Sequence, residues 1–328
     1  MESFIFAINA VMPLILMVAL GYTLKRVGMI KPDFAKVANK LVFRVFLPST
    51  LFLNVYKIGS AADIDIAYVI YALAAVLAVF LIMAPLTGLI TKDARRRGVI
   101  LQASFRSNFA LVGIALASAL FGESGVAAAA LLSAIIIPTY NVLAVVALSL
   151  FSSGKEKPNF KKMAMALIKN PLIISTLLGL FCVLVRGPLS DVGVTFRLSD
   201  VKIVYKVLEY LSQMSTPLAL IVLGVQFEFS QVGQMKREII SATAIRSFIV
   251  PTLALGIAYI FFDDKFAPEQ FAALVAMFAT PVAVSTVPMV QEMGGDTELA
   301  GQLVVWATLL STVTLVGASF FFRAVGIF

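Results

Sequence analysis

The segment FRSNFALVGIALASALFGESGVA, residues 105–127, is apolar enough to cross a lipid bilayer, yet Arg106 and Asn108 lie inside it. A shift of the chain by 173 residues aligns it, without a gap, with FATPVAVSTVPMVQEMGGDTELA, residues 278–300. The two segments are therefore predicted to be corresponding parts of an internal repeat. The alignment pairs Phe105 with Phe278, Ser107 with Thr280, Asn108 with Pro281, Gly122 with Gly295 and Ala127 with Ala300.

The amino-acid composition indicates a membrane protein. Hydrophobic residues make up 60% of the 328 residues, charged residues make up 13%, and the mean hydropathy is +0.99, which exceeds what a soluble core requires. Long apolar runs must be helices, because lipid offers backbone N–H and C=O groups no partners. A window of about 19 residues predicts ten spans, at residues 4–24, 38–57, 66–91, 98–121, 124–151, 163–185, 204–226, 238–262, 269–291 and 298–322.

A second repeat pair lies at the start of each half, where PLILMVALG (13–21) matches PLIISTLLG (171–179). Five spans are thus followed by five related spans. Because five is odd, the second set enters the membrane from the opposite side. The prediction is an all-α polytopic membrane protein with two inverted five-helix repeats, in which broken helices four and nine cross. The predicted bounds are 1–152 for the first repeat, 153–162 for a short cytoplasmic linker and 163–328 for the second repeat.

The basic residues predict the orientation. Sixteen of the 26 Lys and Arg residues fall in alternate connections on one side, and the positive-inside rule places that side in the cytoplasm. Both termini are then outside the plasma membrane. The KDARRRG stretch (92–98) and the net charge of +8 are interpreted as cytoplasmic loops beside anionic lipid, not as a nucleic-acid site.

Missing residue types exclude several kinds of chemistry. The chain has no His and one Cys, Cys182, so a His-based catalytic triad, a zinc-protease motif and an intramolecular disulfide are excluded. All 18 Asp and Glu residues fall in predicted loops or near helix ends. An intramembrane enzyme is therefore not expected, nor is a cofactor or a metal site. A transporter of cations usually needs a carboxylate at depth, which favours an anionic cargo.

Asn108 and Pro281 lie near the midpoints of their predicted helices, and each residue type interrupts regular helix. Two broken helices that cross would expose backbone N–H groups and positive half-dipoles suited to a carboxylate. The alternative is that Asn108 bonds a neighbouring helix and Pro281 only kinks its own. The predicted substrate-binding residues are Ser107, Asn108, Phe109, Thr280, Pro281, Val282 and Ser285, with Asn141 and Ser49 from other helices and Thr286 in the same polar patch.

Three arginines lie inside predicted helices. Arg44 is about two turns from the start of its helix, so its side chain can reach the interface. Arg106 is expected to contact the substrate, hold the broken helix or reach the cytoplasmic vestibule. Arg246 is expected to bind backbone carbonyls or to attract an anion.

Five stretches together resemble one known family nearly end to end: LVFRVFLPSTLF (41–52), RSNFALVGIALASALFGESG (106–125), KNPLIISTLLG (169–179), STPLALIVLGVQF (215–227) and PVAVSTVPMVQEMGGDTELAG (281–301). They are similar to bacterial members of the auxin efflux carrier family, which are related to plant PIN-type carriers and to malate and malonate permeases. The resemblance implies ten helices, a scaffold part of helices one, two, six and seven, a transport part, crossover helices four and nine, and often a homodimer.

By this resemblance Asn108 matches a crossover Asn, and Pro281 matches the crossover Pro of helix nine. The chain departs from the family at 113–115, where Gly-Ile-Ala replaces Gly-x-Pro, so the first break lacks its own proline. The linker SSGKEKPNFKKM (152–163) is short, unlike the long regulated loop of many plant carriers of this family. The resemblance therefore implies a bacterial transporter without phosphorylation control, located in the inner membrane.

The resulting prediction is a secondary transporter that moves small organic anions by alternating access. Its expected cargo is a mono- or dicarboxylate or an auxin-like acid, and its expected mode is potential-driven export or anion exchange. Its expected partners are that anion, the lipid bilayer and a second copy of the chain. Two alternatives stay open: a membrane ligand sensor or accessory protein, and a cation-coupled symporter in which Asp63, Asp65 or Glu123 relays protons.

Overall fold

The computed structural model describes residues 2–57, 65–151, 160–191, 193 and 195–328. Most of the predicted linker, and Asp63, lie outside the described residues. Within them the chain is all-helical, as predicted, with no strand beyond an isolated bridge. The helices are α1 (Glu2–Arg26), α2 (Pro32–Leu41), α3 (Leu47–Tyr56), α4 (Ile66–Ile90), α5 (Ala94–Phe105), α6 (Ile114–Phe151), α7 (Phe160–Ile168), α8 (Pro171–Asp191), α9 (Lys202–Gln226), α10 (Lys236–Ala244), α11 (Val250–Phe262), α12 (Pro268–Phe278), α13 (Thr286–Glu292) and α14 (Thr297–Ala324).

Several helices are long enough to cross a membrane, which is consistent with the prediction of a multi-pass membrane protein. Helix α1 has 25 residues, and α2 continues into α3 through a π-helical turn at Val42–Phe46. The count of ten spans and the inverted repeat stay predictions. Six described stretches are both long and apolar enough to span a bilayer: Ile66–Ile90, Ile114–Phe151, Pro171–Ser190, Lys202–Gln226, Lys236–Phe262 and Thr297–Ala324.

Two helical stretches are interrupted in the interior, at 106–108 and 279–285. Arg106 adopts an extended conformation, and the helix resumes with a π-helical turn at Phe109–Gly113. The interruptions pair with each other: the Asn108 N–H donates to the Pro281 carbonyl at 2.8 Å, and the Ala283 N–H donates to the Arg106 carbonyl at 3.3 Å. We call these two segments the paired breaks.

This pairing explains how the first break forms without a proline. The backbone groups freed at 106–108 find partners in the second break, so they do not need the i−4 ladder of a helix. The Asn108 side chain does not take over this role, because it makes no cap hydrogen bond to the helix that follows and its Nδ2 atom has no partner. Pro281 contributes an acceptor at the point where it lacks a donor of its own.

Each break is followed by a sharp turn at a glycine. Helix α6 bends at Phe121 and Gly122, where Gly122 has a φ of +57°. After α13 the chain turns at Gly294, with a φ of +75°, and enters α14. Both halves therefore contain, in this order, a helix, a break, a second helix, a glycine turn and a third helix that is longer than the other two.

The helices pack in two groups. In the first group, α1 packs against α9, and α3 packs against α8 and α9; in the second, α5 and α12 pack against α6, and α10 and α13 pack against α14. Small residues bring α1 and α9 close, since a Cβ on Gly21 would lie 2.1 Å from the Ile221 carbonyl oxygen and a Cβ on Gly224 would lie 2.0 Å from the Val18 carbonyl oxygen. The α1–α14 contact joins the two groups.

Candidate functional site

A cavity of about 550 Å³ lies between the two groups of helices and reaches the paired breaks. Such a volume is typical of small-molecule sites. One part of its lining comes from the paired breaks and α6, and the other part comes from α1, α3 and α9. The polar residues of the first part are Arg106, Ser107, Asn108, Tyr140, Asn141 and Ser285.

Arg106 is the one cation that lines this cavity among the described residues. The residue is 4% exposed. The guanidinium donates from Nη2 to Asn141 Oδ1 at 2.8 Å and to Ser285 Oγ at 3.0 Å, and Nη1 lies 2.8 Å from the Met289 sulfur. No described carboxylate pairs with it. The positive charge is therefore buried without a counter-ion.

Two amide groups beside Arg106 carry unused donors. The Nδ2 atoms of Asn108 and Asn141 are buried and have no hydrogen-bond partner, and both residues line the cavity. Ala110 also lines it, so the first turn after the break faces the same space. First-turn N–H groups have no partner within their helix and carry the positive half-dipole. Donors and positive charge thus converge on one end of the cavity.

Arg246 has a different environment, although it is also fully buried. Its guanidinium donates to the carbonyls of Met277, Phe278 and Thr280, with the shortest distance 2.7 Å from Nη2 to the Thr280 oxygen. These carbonyls lie at the carboxyl end of α12 and in the second break, where helical partners are missing. Arg246 thus holds the end of α12. Of its two expected roles, binding backbone carbonyls or attracting an anion, the structure shows the first.

The structure brings some of the predicted site residues together and leaves others out. Ser107, Asn108, Asn141 and Ser285 line the cavity with Arg106. Ser49 does not line the cavity, and its hydroxyl donates to the Val45 carbonyl of the preceding turn at 2.9 Å. The remaining predicted residues, which are buried behind the cavity surface, are Phe109, Thr280, Pro281, Val282 and Thr286.

The sequence of this chain matches a known family over most of its length. The profile of the family described as membrane transport protein matches residues 6–318. The chain belongs to this family. This family includes the auxin efflux carriers, so the resemblance seen in the sequence is confirmed.

Two curated relatives of this membrane transport protein come from archaea. An uncharacterized transporter of Methanothermobacter thermautotrophicus is 26% identical over 318 residues, which cover 94% of this chain and 95% of the relative. An uncharacterized transporter of Methanocaldococcus jannaschii is 26% identical over 226 residues, covering 66% of this chain and 67% of the relative. Both relatives are named as transporters, and neither name specifies a cargo.

The transporter's cavity has a second polar surface that the sequence analysis missed. It comes from α3 and α9, in the first helix group. Two features of the sequence indicate it. Thr50 and Asn54 are four residues apart and so share a helix face, and SQMST (212–216) is a polar run inside a predicted membrane span. Its members are Thr50, Asn54, Ser212, Gln213, Ser215 and Thr216.

The two helix groups are connected by polar contacts at the end of α13. Asn39 Nδ2 and Gln226 Nε2 both donate to Gln291 Oε1, at 2.6 and 3.0 Å. Arg44 Nη2 lies 3.2 Å from Glu292 Oε2. We call these five residues the polar latch. They join α2, the adjacent π-helical turn and α9 of the first group to α13 of the second, so the two groups are in contact at this end.

The three arginines of KDARRRG (92–98) contact other parts of the same chain. Arg95 donates to the carbonyls of Gly294 and Gly295, at 3.1 and 3.0 Å. Arg96 pairs with Glu238 and with Asp296, each at 3.0 Å, and the Arg97 guanidinium stacks on the Phe151 ring at 4.4 Å. The stretch therefore ties the start of α5 to three other parts of the chain: the turn at 294–296, α10 and the end of α6.

Proposed function

We propose that this membrane transport protein is a secondary carrier of small organic anions and that Arg106 binds the carboxylate of the cargo. The observation that carries the proposal is the buried guanidinium of Arg106, which lines the cavity without a counter-ion. A buried charge without a partner is costly, and a bound carboxylate would supply both the charge and the acceptors. The free donors on Asn108 and Asn141 add hydrogen bonds to the same group.

The number of charges favours a monocarboxylate over a dicarboxylate. Among the described residues, Arg106 is the one cation and no Asp or Glu lines the cavity. A second carboxylate would enter a space with Leu47, Leu51 and Ile137 in its walls and would find no positive charge there. A carrier with this lining binds one carboxylate attached to a body that tolerates apolar surroundings.

Alternating access is supported by the two helix groups and the paired breaks. We assign the first helix group as the scaffold and the second as the moving part, with ten spans in two inverted repeats. The matching order of helix, break, glycine turn and long helix in each half supports this assignment. The bacterial inner membrane, the external termini and the homodimer belong to the same proposal.

The conformation fits one state of such a cycle. The polar latch closes one end of the space between the groups, whereas Asn54 and Gln213, towards the other end, are exposed and line the cavity. With the basic loops in the cytoplasm, the closed end is cytoplasmic and the open end faces outside.

Removing the polar latch is expected to shift the protein away from this state. Gln291→Leu deletes the acceptor of two hydrogen bonds, each worth about 1 kcal/mol, so the ratio of the two states should change about 30-fold. The measurement is the labelling rate of Asn54→Cys by a membrane-impermeant maleimide in a Cys182→Ala background. We expect slower labelling in the Gln291 variant. The matched control is Gln234→Leu, which removes an exposed glutamine and should leave the labelling rate unchanged. Equal labelling rates with and without Gln291→Leu would contradict the gating role of the latch.

Energy coupling is proposed to come from the membrane potential or from exchange of one anion for another. A monovalent anion leaving a cell at 100 mV, negative inside, gains about 2.3 kcal/mol. Asp65 is held in a structural role, because it caps α4 through the Tyr68 N–H and accepts a bond from Gln270. Glu123 is exposed near the glycine turn of α6. Neither residue lines the cavity.

The test of the function is uptake of labelled monocarboxylates by proteoliposomes. We expect saturable uptake by the wild type and its loss in Asn108→Ala, because the variant removes an amide that faces the carboxylate. Folding of the variant is checked by size-exclusion chromatography. Uptake measured with sodium, pH and potential gradients imposed separately should follow the potential or the opposing anion. Uptake that is unchanged in the variant would refute the site, and absence of any uptake would refute the carrier function.

A further inference from the structure

The α3 and α9 side of the cavity carries hydrogen-bonding groups but no charge among its described residues. Two of them satisfy each other: the Ser212 hydroxyl donates to Thr50 Oγ1 at 3.2 Å, and Thr50 donates to the Phe46 carbonyl at 3.0 Å. These two residues can therefore stay in place when the cavity is empty.

Ser215 differs from its neighbours. It is 1% exposed, and its hydroxyl has no hydrogen-bond partner, although it lines the cavity. A buried serine in a helix usually donates to a carbonyl of the preceding turn, as Ser311 does to the Thr308 carbonyl at 2.8 Å. The Ser215 hydroxyl is instead left without a partner, on a residue that lines the cavity. A buried hydroxyl without a partner is destabilising until a bound molecule supplies one.

Ser215 belongs to a different helix group from Arg106, so the cavity has two polar ends of different character. The end at the paired breaks is cationic and rich in donors. The end at α9 offers a hydroxyl, which can donate and accept but cannot neutralise a charge. The two ends match a molecule with one carboxylate and one uncharged polar group.

We propose that Ser215 is a specificity-determining residue that binds an uncharged hydroxyl or carbonyl group of the transported anion. The inference rests on the proposed function, because it takes the carboxylate at Arg106 as given. The preferred substrates are then hydroxy- or oxo-monocarboxylates, and their unsubstituted analogues bind less well. A site with a free hydroxyl rejects an analogue that leaves this hydroxyl unpaired.

The experiment compares pairs of acids that differ by one oxygen function, as competitors of labelled monocarboxylate uptake in proteoliposomes. The probes are lactate with propionate, 3-hydroxybutyrate with butyrate, and 4-hydroxyphenylacetate with phenylacetate. For the wild type we expect the better-placed hydroxy acid of the set to compete about tenfold more strongly than its partner, the size of one net hydrogen bond. In Ser215→Ala this ratio should fall to about one while the unsubstituted acid competes as before.

Two further variants keep the result interpretable. Ser215→Thr retains a hydroxyl and should retain the preference, and Ser311→Ala removes a buried serine hydroxyl outside the cavity and should leave the preference unchanged. A wild type without any preference, or a preference that persists in Ser215→Ala, would overturn the inference while uptake itself still supports the carrier. Failure of every monocarboxylate to compete would instead overturn the proposed function and this inference with it.

Discussion

Replacing Arg106 with Gln is expected to lower organic-anion uptake by at least about 100-fold. The guanidinium is the one cation among the described residues that line the cavity, and loss of one partner from a buried hydrogen-bonded charge pair costs roughly 2–5 kcal/mol. Gln retains hydrogen-bonding capacity towards Asn141 and Ser285, so the main loss is the positive charge. The measurement is initial uptake of a labelled monocarboxylate at several concentrations.

The matched control for this variant is Arg197→Gln, which removes an exposed arginine. It should leave uptake near the wild-type rate. Arg106→Lys keeps the charge but loses the planar fork that binds Asn141 and Ser285 together, so an intermediate rate is expected. Equal uptake in the wild type and Arg106→Gln would show that the cargo carboxylate does not bind this guanidinium.

Replacing Arg246 with Met is expected to destabilise the fold strongly. The guanidinium donates to three buried carbonyls, and each acceptor left without a partner costs roughly 1–3 kcal/mol. Relief of the buried charge offsets part of this cost, so the expected net loss is about 3 kcal/mol. The measurement is the melting temperature of the purified protein in detergent.

Arg44→Met is the control, because Arg44 is exposed and its pair with Glu292 is of the surface kind. Such pairs contribute about 0–1 kcal/mol, so its melting temperature should stay close to the wild-type value. Arg246→Lys should fall between the two. A melting temperature for Arg246→Met equal to that of Arg44→Met would contradict the role of Arg246 at the end of α12.

The positions of the breaks could be predicted from the sequence because helix-interrupting residues occupy equivalent places in two segments that align without a gap. Asn108 and Pro281 marked them in otherwise apolar segments. The mechanism of the first break could not be predicted, because it depends on backbone pairing between residues far apart in the chain. Local sequence reports what a segment disfavours, whereas the partner that replaces the lost hydrogen bonds is a property of the folded protein.

Side-chain direction limited the prediction of the candidate site in the same way. Ser49 and Thr50 are adjacent, yet Thr50 lines the cavity and Ser49 does not, since neighbouring residues point about 100° apart around a helix. The roles of Arg106 and Arg246 also depend on position. Both arginines are buried and inside predicted spans. Tertiary packing decides that Arg106 lines the cavity and that Arg246 binds backbone carbonyls.

The hydrogen bonds between the paired breaks have a consequence for biosynthesis. Asn108 and Arg106 belong to the first half of the chain, and their backbone partners, Pro281 and Ala283, are synthesised much later. Until the second half has been inserted, the polar backbone of the first break has no protein partner in the hydrocarbon, where unsatisfied groups are costly. The nascent first half must therefore keep this segment hydrated or shielded by the insertion machinery, and its final burial is a late step in assembly that both halves complete together.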